Sequence, residues 1–447
     1  MGLTADSFYT TDEIPTGSRH SIFGAGQENE TQVTASDFPY GSFFIAKYSA
    51  TGSLLWVELP FPNAEIVPIG AYPTESGGIA IAGVFESGEV VLNQGEEDEQ
   101  QYAVAGSAMG FSAVLDEQGS PLFFNPIRGS GIGVPESVHV FEDGAVALSG
   151  WYSGEAIFGN ETENQIVLDS GSSSPAFVTK YDGTGALIFA RDLPFEPSDR
   201  VKISGASDGT FILNSATGDL TEFEQLLPSD VTPPSTSVGL SHFVAKFDTD
   251  GMLRWIFATI PDDFLTEAAT IRPDGTVLFV SINKMTVLDE NGVIVSESRI
   301  LASGEVLIFN NFPLPAVYLD NVQAASDGTF VVTGTMYGDC VFGEGEPNET
   351  PLTMNPAGTV QGYMVMAKFN EDGSLIWAER AGGRDSENIN NSSYAYDSVS
   401  STAIAEDGSL LIAGFFEDVA VFDAADENET TLNSFGMADI FVAKYRP

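Results

Sequence analysis

Acids are the residues of this chain most able to do chemistry. Asp and Glu number 64 against 17 Lys and Arg, which leaves a net charge of −47. Paired carboxylates cut glycosidic bonds, and oxygen-rich loops hold calcium through about six to eight ligands. DTDG (Asp248–Gly251) and NEDG (Asn370–Gly373) have such a composition, but too few acids at alternating positions for a long D-x-D-x-D-G loop. The run Glu96, Glu97, Asp98 and Glu99 is the other candidate for calcium, the one cofactor the sequence leaves open. Among 64 acids, pairs also arise by coincidence.

Other reactive patterns are weaker. GASDG (Gly205–Gly209) has the G-x-S-x-G spacing of a nucleophile elbow, which works only on a strained strand-to-helix turn. AASDG (Ala324–Gly328) stands at a sister position, so the motif reads as a turn. GSGIG (Gly129–Gly133) resembles a phosphate loop but opens no helix, and it reads as a flexible connection. His20, His139 and His242 lie more than 100 residues apart, with no paired-His metal spacing. His139 alternates with valines in SVHVF, as a packed strand residue would. Cys340 is alone, which removes intrachain disulfides and zinc clusters. NET recurs at Asn29, Asn160, Asn348 and Asn428; each fits the glycosylation acceptor pattern, yet recurrence at one place argues for a turn first.

The charge excludes some partners. A surface so acidic repels phosphate backbones and anionic headgroups, so no nucleic acid is expected. No apolar run approaches the ~18 residues of a spanning helix, so no membrane insertion is expected. A saline habitat, where salt screens self-repulsion, accounts for the acids without a specific partner. MGLTADSFYT lacks the apolar core of a signal peptide. The preferred reading is a mature or excised piece of a secreted or cell-surface protein.

What must position these residues is a repeat. Lys47, Val114, Lys180, Lys246, Val287, Lys368 and Lys444 occupy one position, usually inside FVAKY or a variant. Most intervals are near 66 residues, but 41 separate Lys246 from Val287 and 81 separate Val287 from Lys368. One unit has therefore lost a loop and its neighbour gained one. Each unit holds four strand-like runs. An acidic turn ending in Gly144, Gly209, Gly275, Gly328 or Gly408 separates the first two. A second turn, ending in Gly52, Gly119, Gly185, Gly251, Gly292 or Gly373, leads into the fourth, which carries Trp56, Trp255 or Trp377 four residues on. In FVAKY, Phe, Ala and Tyr share one face and Val and Lys the other.

Four short strands repeated radially bury both faces of small sheets, which predicts an all-β, seven-bladed β-propeller of four-stranded antiparallel blades. Six blades, with the terminal halves merged into one, is the alternative. The repeats run 1–60, 61–128, 129–193, 194–261, 262–318, 319–381 and 382–447 of a single propeller. The first unit is expected to lack strand one and the last to lack strand four. SGEVLIFN (Ser303–Asn310) is an extra strand-like run.

DIFVAKY (Asp439–Tyr445), GSLIWAERAGG (Gly373–Gly383) and IAEDGSLLIAGFF (Ile404–Phe416) together resemble a bacterial β-propeller repeat family, with units like DxFVAKxDxxGxLxWxxxxGG and IAxDxxGxxxxTG. The resemblance implies a secreted or surface-exposed protein, often part of a larger chain or assembly, and carries over no catalytic residue. The expected function is a non-enzymatic protein- or glycan-binding, or adhesion, module. Its rivals are a polysaccharide hydrolase or lyase with acids converging at the channel mouth, and a passive spacer. The longer connections, including 158–175, 224–241 and 380–397, should share one end of the blades and carry the ligand-capable surface. Arg384, Tyr394 and Tyr396 there could stack on a sugar.

Overall fold

A computed structural model describes the chain apart from residues 1, 5–6, 15–20, 25, 34–41, 50, 94–98, 105–107, 160–163, 199, 219–222, 224–240, 260–267, 282, 304–306, 310–311, 315, 355–361, 384–396, 406, 418, 424–428, 435–438 and 446–447. It has the expected fold class, an all-β chain with the seven blade sheets of a β-propeller. Two compact units divide it, Met1–Ile260 and Pro261–Pro447.

The first unit holds four blades, each a meander of strands 1 to 4. Blade 1 comprises Gly2–Thr4, Ser7–Ile14, Ser42–Ser49 and Leu54–Glu58. Blade 2 comprises Ala64–Pro73, Ile79–Leu92, Met109–Leu115 and Pro121–Pro126. Blade 3 comprises Ile132–Val140, Val146–Ser153, Ala176–Tyr181 and Leu187–Leu193. Blade 4 comprises Lys202–Gly205, Phe211–Thr217, Ser241–Phe247 and Leu253–Thr259. Blade 1 corrects one expectation: Gly2–Thr4 is its first strand, with Gly2 opposite Tyr9.

In the second unit, blade 5 comprises Ala268–Ile271, Val277–Ser281, Lys284–Leu288 and Ile294–Arg299. Blade 6 comprises Val317–Ala324, Phe330–Met336, Tyr363–Phe369 and Leu375–Gly383. Blade 7 shows three strands among the described residues, Ser398–Ile404, Leu410–Phe416 and Asp439–Tyr445.

Strands 2 and 3 of several blades are joined through an inserted hairpin, such as Ser21–Phe23 with Thr31–Val33 in blade 1 and Cys340–Phe342 with Thr350–Leu352 in blade 6. In blade 5 only residues 282 and 283 separate those strands, which accounts for the short interval. The long one contains the extra run: Leu301–Ser303 adds to the blade 6 hairpin, and Leu307–Phe309 pairs with Phe312–Leu314.

Register repeats as closely as sequence. Strand 3 places Lys47 opposite Trp56, Val114 opposite Phe123, Lys180 opposite Phe189, Lys246 opposite Trp255, Val287 opposite Ser296 and Lys368 opposite Trp377. A register shift follows one residue later in every case, and such bulges sharpen the right-handed twist of a small sheet.

The third strand of blades 3 and 4 is buried on both faces. In blade 3, Ala176 and Val178 join a core with Phe211, Leu213 and Phe243 of blade 4. Phe177 and Tyr181, on the opposite face, join a core with Ala80, Val114 and Phe123 of blade 2. Burying a Phe fully stabilises by roughly 2–3 kcal/mol. Alternation along one strand thus locks a blade to both neighbours.

Candidate functional site

The recurrent Asp residues build turns. Asp182 Oδ1 accepts from the backbone N–H groups of Thr184 and Ala186 and from the Thr184 hydroxyl. Asp248 Oδ1 accepts from the N–H groups of Asp250 and Met252. Asp208, in the G-x-S-x-G match, accepts the Thr210 N–H and hydroxyl. Its sister Asp327 does the same with Thr329. The nucleophile-like pattern is therefore a strand 1–2 turn, with no helix after it. Hydrogen bonds to the ionised form hold Asp182 and Asp327 below the usual carboxylate range. Thr184 chiefly lowers Asp182, Thr329 lowers Asp327, and Ser409, followed by Lys444, brings Asp407 down to about 2.

The repeated Lys is a cross-blade clasp. Lys47 Nζ donates to Gly77 O in the first turn of blade 2, at 3.2 Å. Lys368 Nζ donates to Gly408 O in the first turn of blade 7, at 3.3 Å. Both residues are buried, so the stem packs while the head meets a carbonyl. Acids also take part: Glu117 of blade 2 lies 3.6 Å from Lys47, and Asp407, in the same blade as Lys444, lies 3.1 Å from it. Lys180 differs, its Nζ lying over the Phe141 ring at 3.9 Å. Burial lowers its pKa from the ordinary lysine value.

Sequence reasoning missed a second clasp, six residues beyond the Gly of the strand 3–4 turn. Asn125 Nδ2 donates to Gly185 O, Arg191 to Asp250 O and Ser298 Oγ to Asp372 O, each in the next blade. Residue type varies because the acceptor is always a backbone carbonyl. No shared letter marks the position.

NET has a structural role at both described copies. Asn29 Nδ2 donates to Leu54 O at 3.2 Å, and Asn348 Nδ2 to Leu375 O at 3.1 Å. Gln27 and Glu346 side chains accept the N–H groups of the same two leucines. The motif pins the inserted hairpin to strand 4 of its own blade. Asn160 and Asn428 lie outside the described residues.

GSGIG is a packed approach rather than a flexible connection. A Cβ on Gly129 would lie 2.1 Å from Glu155 O, and one on Gly131 would lie 1.8 Å from Ser153 O. These glycines admit a neighbouring backbone and open strand 1 of blade 3.

His139 is enclosed by aromatic edges. Its ring meets Tyr72 at 4.5 Å and Phe141 at 4.9 Å, and a Cβ on Gly205 would approach it to 2.4 Å. Burial, then the Lys180 charge, pushes its pKa down to about 3. It therefore stays neutral and does not titrate near neutrality. Cys340 is buried, and its thiol is pushed up to about 12 by burial and then Asp339, which leaves it without thiolate character.

The remaining candidates lie almost wholly outside the described residues. Arg384, Tyr394 and Tyr396 lie outside the described residues, as do Glu96, Glu97 and Asp98; Glu99 is exposed. Among the described residues, no three His, Cys, Asp or Glu side chains are grouped to hold a metal ion. Strands 1–2 and 3–4 are joined by the tight turns described above.

No family model matches the chain, and no curated protein matches it. Solved structures do share similarity. A member of the DUF4221 family from Bacteroides vulgatus is 10% identical over 85% of this chain and 99% of its own, with a TM-score of 0.33. A streptogramin B lyase is 12% identical over 90% and 94%, with a TM-score of 0.38. A puromycin hydrolase is 14% identical over 93% and 58%, also at 0.38. At these scores the likenesses carry no inference about activity or substrate.

Proposed function

We propose that the chain is a non-enzymatic binding or adhesion module of a secreted or cell-surface bacterial protein. It engages a protein or glycan through the connections between strands 2 and 3 and between successive blades. One observation carries this reading: the recurrent polar side chains serve the frame. Turn Asp oxygens accept backbone N–H groups, Lys heads hold the next blade, and Asn amides pin hairpins. A frame so committed leaves recognition to connections that vary in length and sequence. Calcium, if it takes part, would act at the acidic loops, and the net charge of −47 favours a neutral or basic partner surface.

The test is a thermal-shift screen of the chain against a glycan panel and divalent cations, with a chelator control and product analysis. A ligand at about 100 times its Kd adds roughly 2.7 kcal/mol and moves the midpoint visibly. A glycan shift without product formation supports the reading. Product release would replace it with the hydrolase or lyase alternative. A calcium shift abolished by chelator would assign the acidic loops to the ion. No shift across the panel and with candidate protein partners would reduce the chain to a spacer.

A further inference from the structure

Three blades seat an inserted hairpin on their own fourth strand, and they do so in one way. Each hairpin carries a Phe-Gly pair: Phe23-Gly24 in blade 1, Phe158-Gly159 in blade 3 and Phe342-Gly343 in blade 6. The pair packs on the Leu two residues beyond the strand 3–4 turn Gly. Phe23 shares a core with Leu54, Phe158 with Leu187 and Phe342 with Leu375. A Cβ on Gly24, Gly159 or Gly343 would lie 3.0, 3.2 or 2.8 Å from the same leucines. All three glycines also sit at positive φ, so the residue suits both the turn and the close approach. In blades 1 and 6 the hairpin bonds the Leu backbone as well. A side-chain oxygen three residues after the Gly accepts its N–H, and an Asn five residues after donates to its carbonyl.

Blade 5 keeps the seat and lacks the hairpin. Its strands 2 and 3 are joined by residues 282 and 283 alone, in the interior of the chain. The seat is Ile294, two residues beyond Gly292. It is 47% exposed, against 1%, 7% and 2% for Leu54, Leu187 and Leu375. Val293 and Val295 beside it are 60% and 64% exposed. The position of Val293 holds Ser53, Ser120 and Ser374 in blades 1, 2 and 6. Among the described residues, Ile294–Arg299 forms a ladder with Lys284–Leu288 alone. Uncovered edges are commonly blunted by charge, yet this one opens with three apolar residues in a row. The charges further along are paired, Lys284 with Glu297 and Arg299 with Glu344 of the blade 6 hairpin.

We propose that Val293–Val295 is the docking seat for a β-hairpin of a partner polypeptide with the pattern Phe-Gly-x-x-Gln/Glu-x-Asn. The partner's Gly rests on Ile294 and its Phe covers that side chain. Its Gln or Glu accepts the Ile294 N–H, and its Asn donates to the Ile294 carbonyl. The contact repeats an interface that this chain already builds three times, and it adjoins the blade 6 hairpin at Arg299. A second copy of the chain is a poorer donor. Its own hairpins are already seated on Leu54, Leu187 and Leu375, and two bodies of charge −47 repel. This surface lies on strand 4, separate from the connections assigned to recognition above, and does not rest on that reading.

The experiment is amide hydrogen exchange on the full chain with a peptide of residues 21–33, SIFGAGQENETQV. An added cysteine at each end closes the hairpin, because an isolated one is marginally stable. Salt at ~0.15 M screens the acids of both partners. The control peptide carries Phe23→Ser and Asn29→Ser. With the first peptide at about ninety per cent occupancy, exchange across residues 293–295 should slow about tenfold. Exchange at Leu54 and Leu375, whose seats are filled, should not change. Ile294→Asp, at an exposed position, should weaken peptide binding about tenfold with an unchanged melting midpoint. Ile294→Leu, the residue of the sister blades, should retain binding. Unchanged exchange at 293–295 with peptide up to ~1 mM, equal protection by the control peptide, or undiminished binding to Ile294→Asp overturns the proposal. Protection at 293–295 that grows with protein concentration without peptide would also overturn it, by identifying a second copy as the occupant.

Discussion

Phe123 of blade 2 lies beneath Gly185 of blade 3, so closely that a Cβ on Gly185 would stand 2.8 Å from Phe123 Cγ. The same Gly sits at φ +86°, in the left-handed region that its tight turn requires. One residue therefore meets two constraints, one local and one between blades. Gly185→Ala should destabilise the protein by about 2–3 kcal/mol, combining backbone strain with a clash against a ring. Gly183→Ala, whose new Cβ would find its nearest atom at 3.5 Å, should be almost neutral. Urea denaturation of both variants, of Phe123→Ala and of the double variant Gly185→Ala with Phe123→Ala checks this; the double variant should cost less than the sum of its two single changes.

The Lys clasp predicts an order among substitutions. Lys368 is 6% exposed and donates to Gly408 O. Lys368→Met keeps the packed stem and should cost about 1 kcal/mol, the worth of one hydrogen bond. Lys368→Ala also loses the stem and should cost about 2 kcal/mol or more. Equal losses in the two variants would assign the whole effect to the ammonium group.

Acid should weaken the turns over a defined range. The Ser409 hydroxyl and N–H, with Lys444, bring Asp407 to about 2 in the folded chain, against about 3.9 when unfolded. Because the folded value is depressed, its contribution is complete above the unfolded value and is lost as pH falls through the folded one. The stability difference between wild type and Asp407→Ala should be constant above pH ~5 and shrink between pH ~4 and ~2. Chemical denaturation across that series is the measurement.

His139 acts over a higher range. Its folded pKa of about 3 lies below an unfolded value of about 6.5, so between the two the unfolded chain binds the extra proton. Stability should fall as pH drops through this interval. His139→Gln should flatten that part of the profile and leave the Asp407 step in place. An NMR titration should show no His139 ring shift between pH ~5 and ~8.

Much of the fold was legible in the sequence, because repetition turns weak signals into strong ones. A single DGTG is only a turn, whereas six Gly turns in phase with FVAKY predict blades. His139 reads as an interior strand residue from its alternation with valines. The opening strand Gly2–Thr4 was missed because three residues are too short to show a period. GSGIG was misread as flexible because glycine composition is the same whether a loop is loose or tightly approached by another backbone. The recognition surface was less legible, since it depends on connections that do not repeat.

Strand count per blade, turn chemistry and the facing of the FVAKY residues all follow from the sequence alone, because each is local and periodic. Which neighbour each side chain holds is set by how the blades pack. That Asn125 reaches Gly185, that Lys368 reaches Gly408, and that Ile440 stays exposed where Met364 is buried all depend on the placement of the adjoining strand. Side chains of different types can satisfy one backbone carbonyl, and identical strands differ in burial when their neighbours differ.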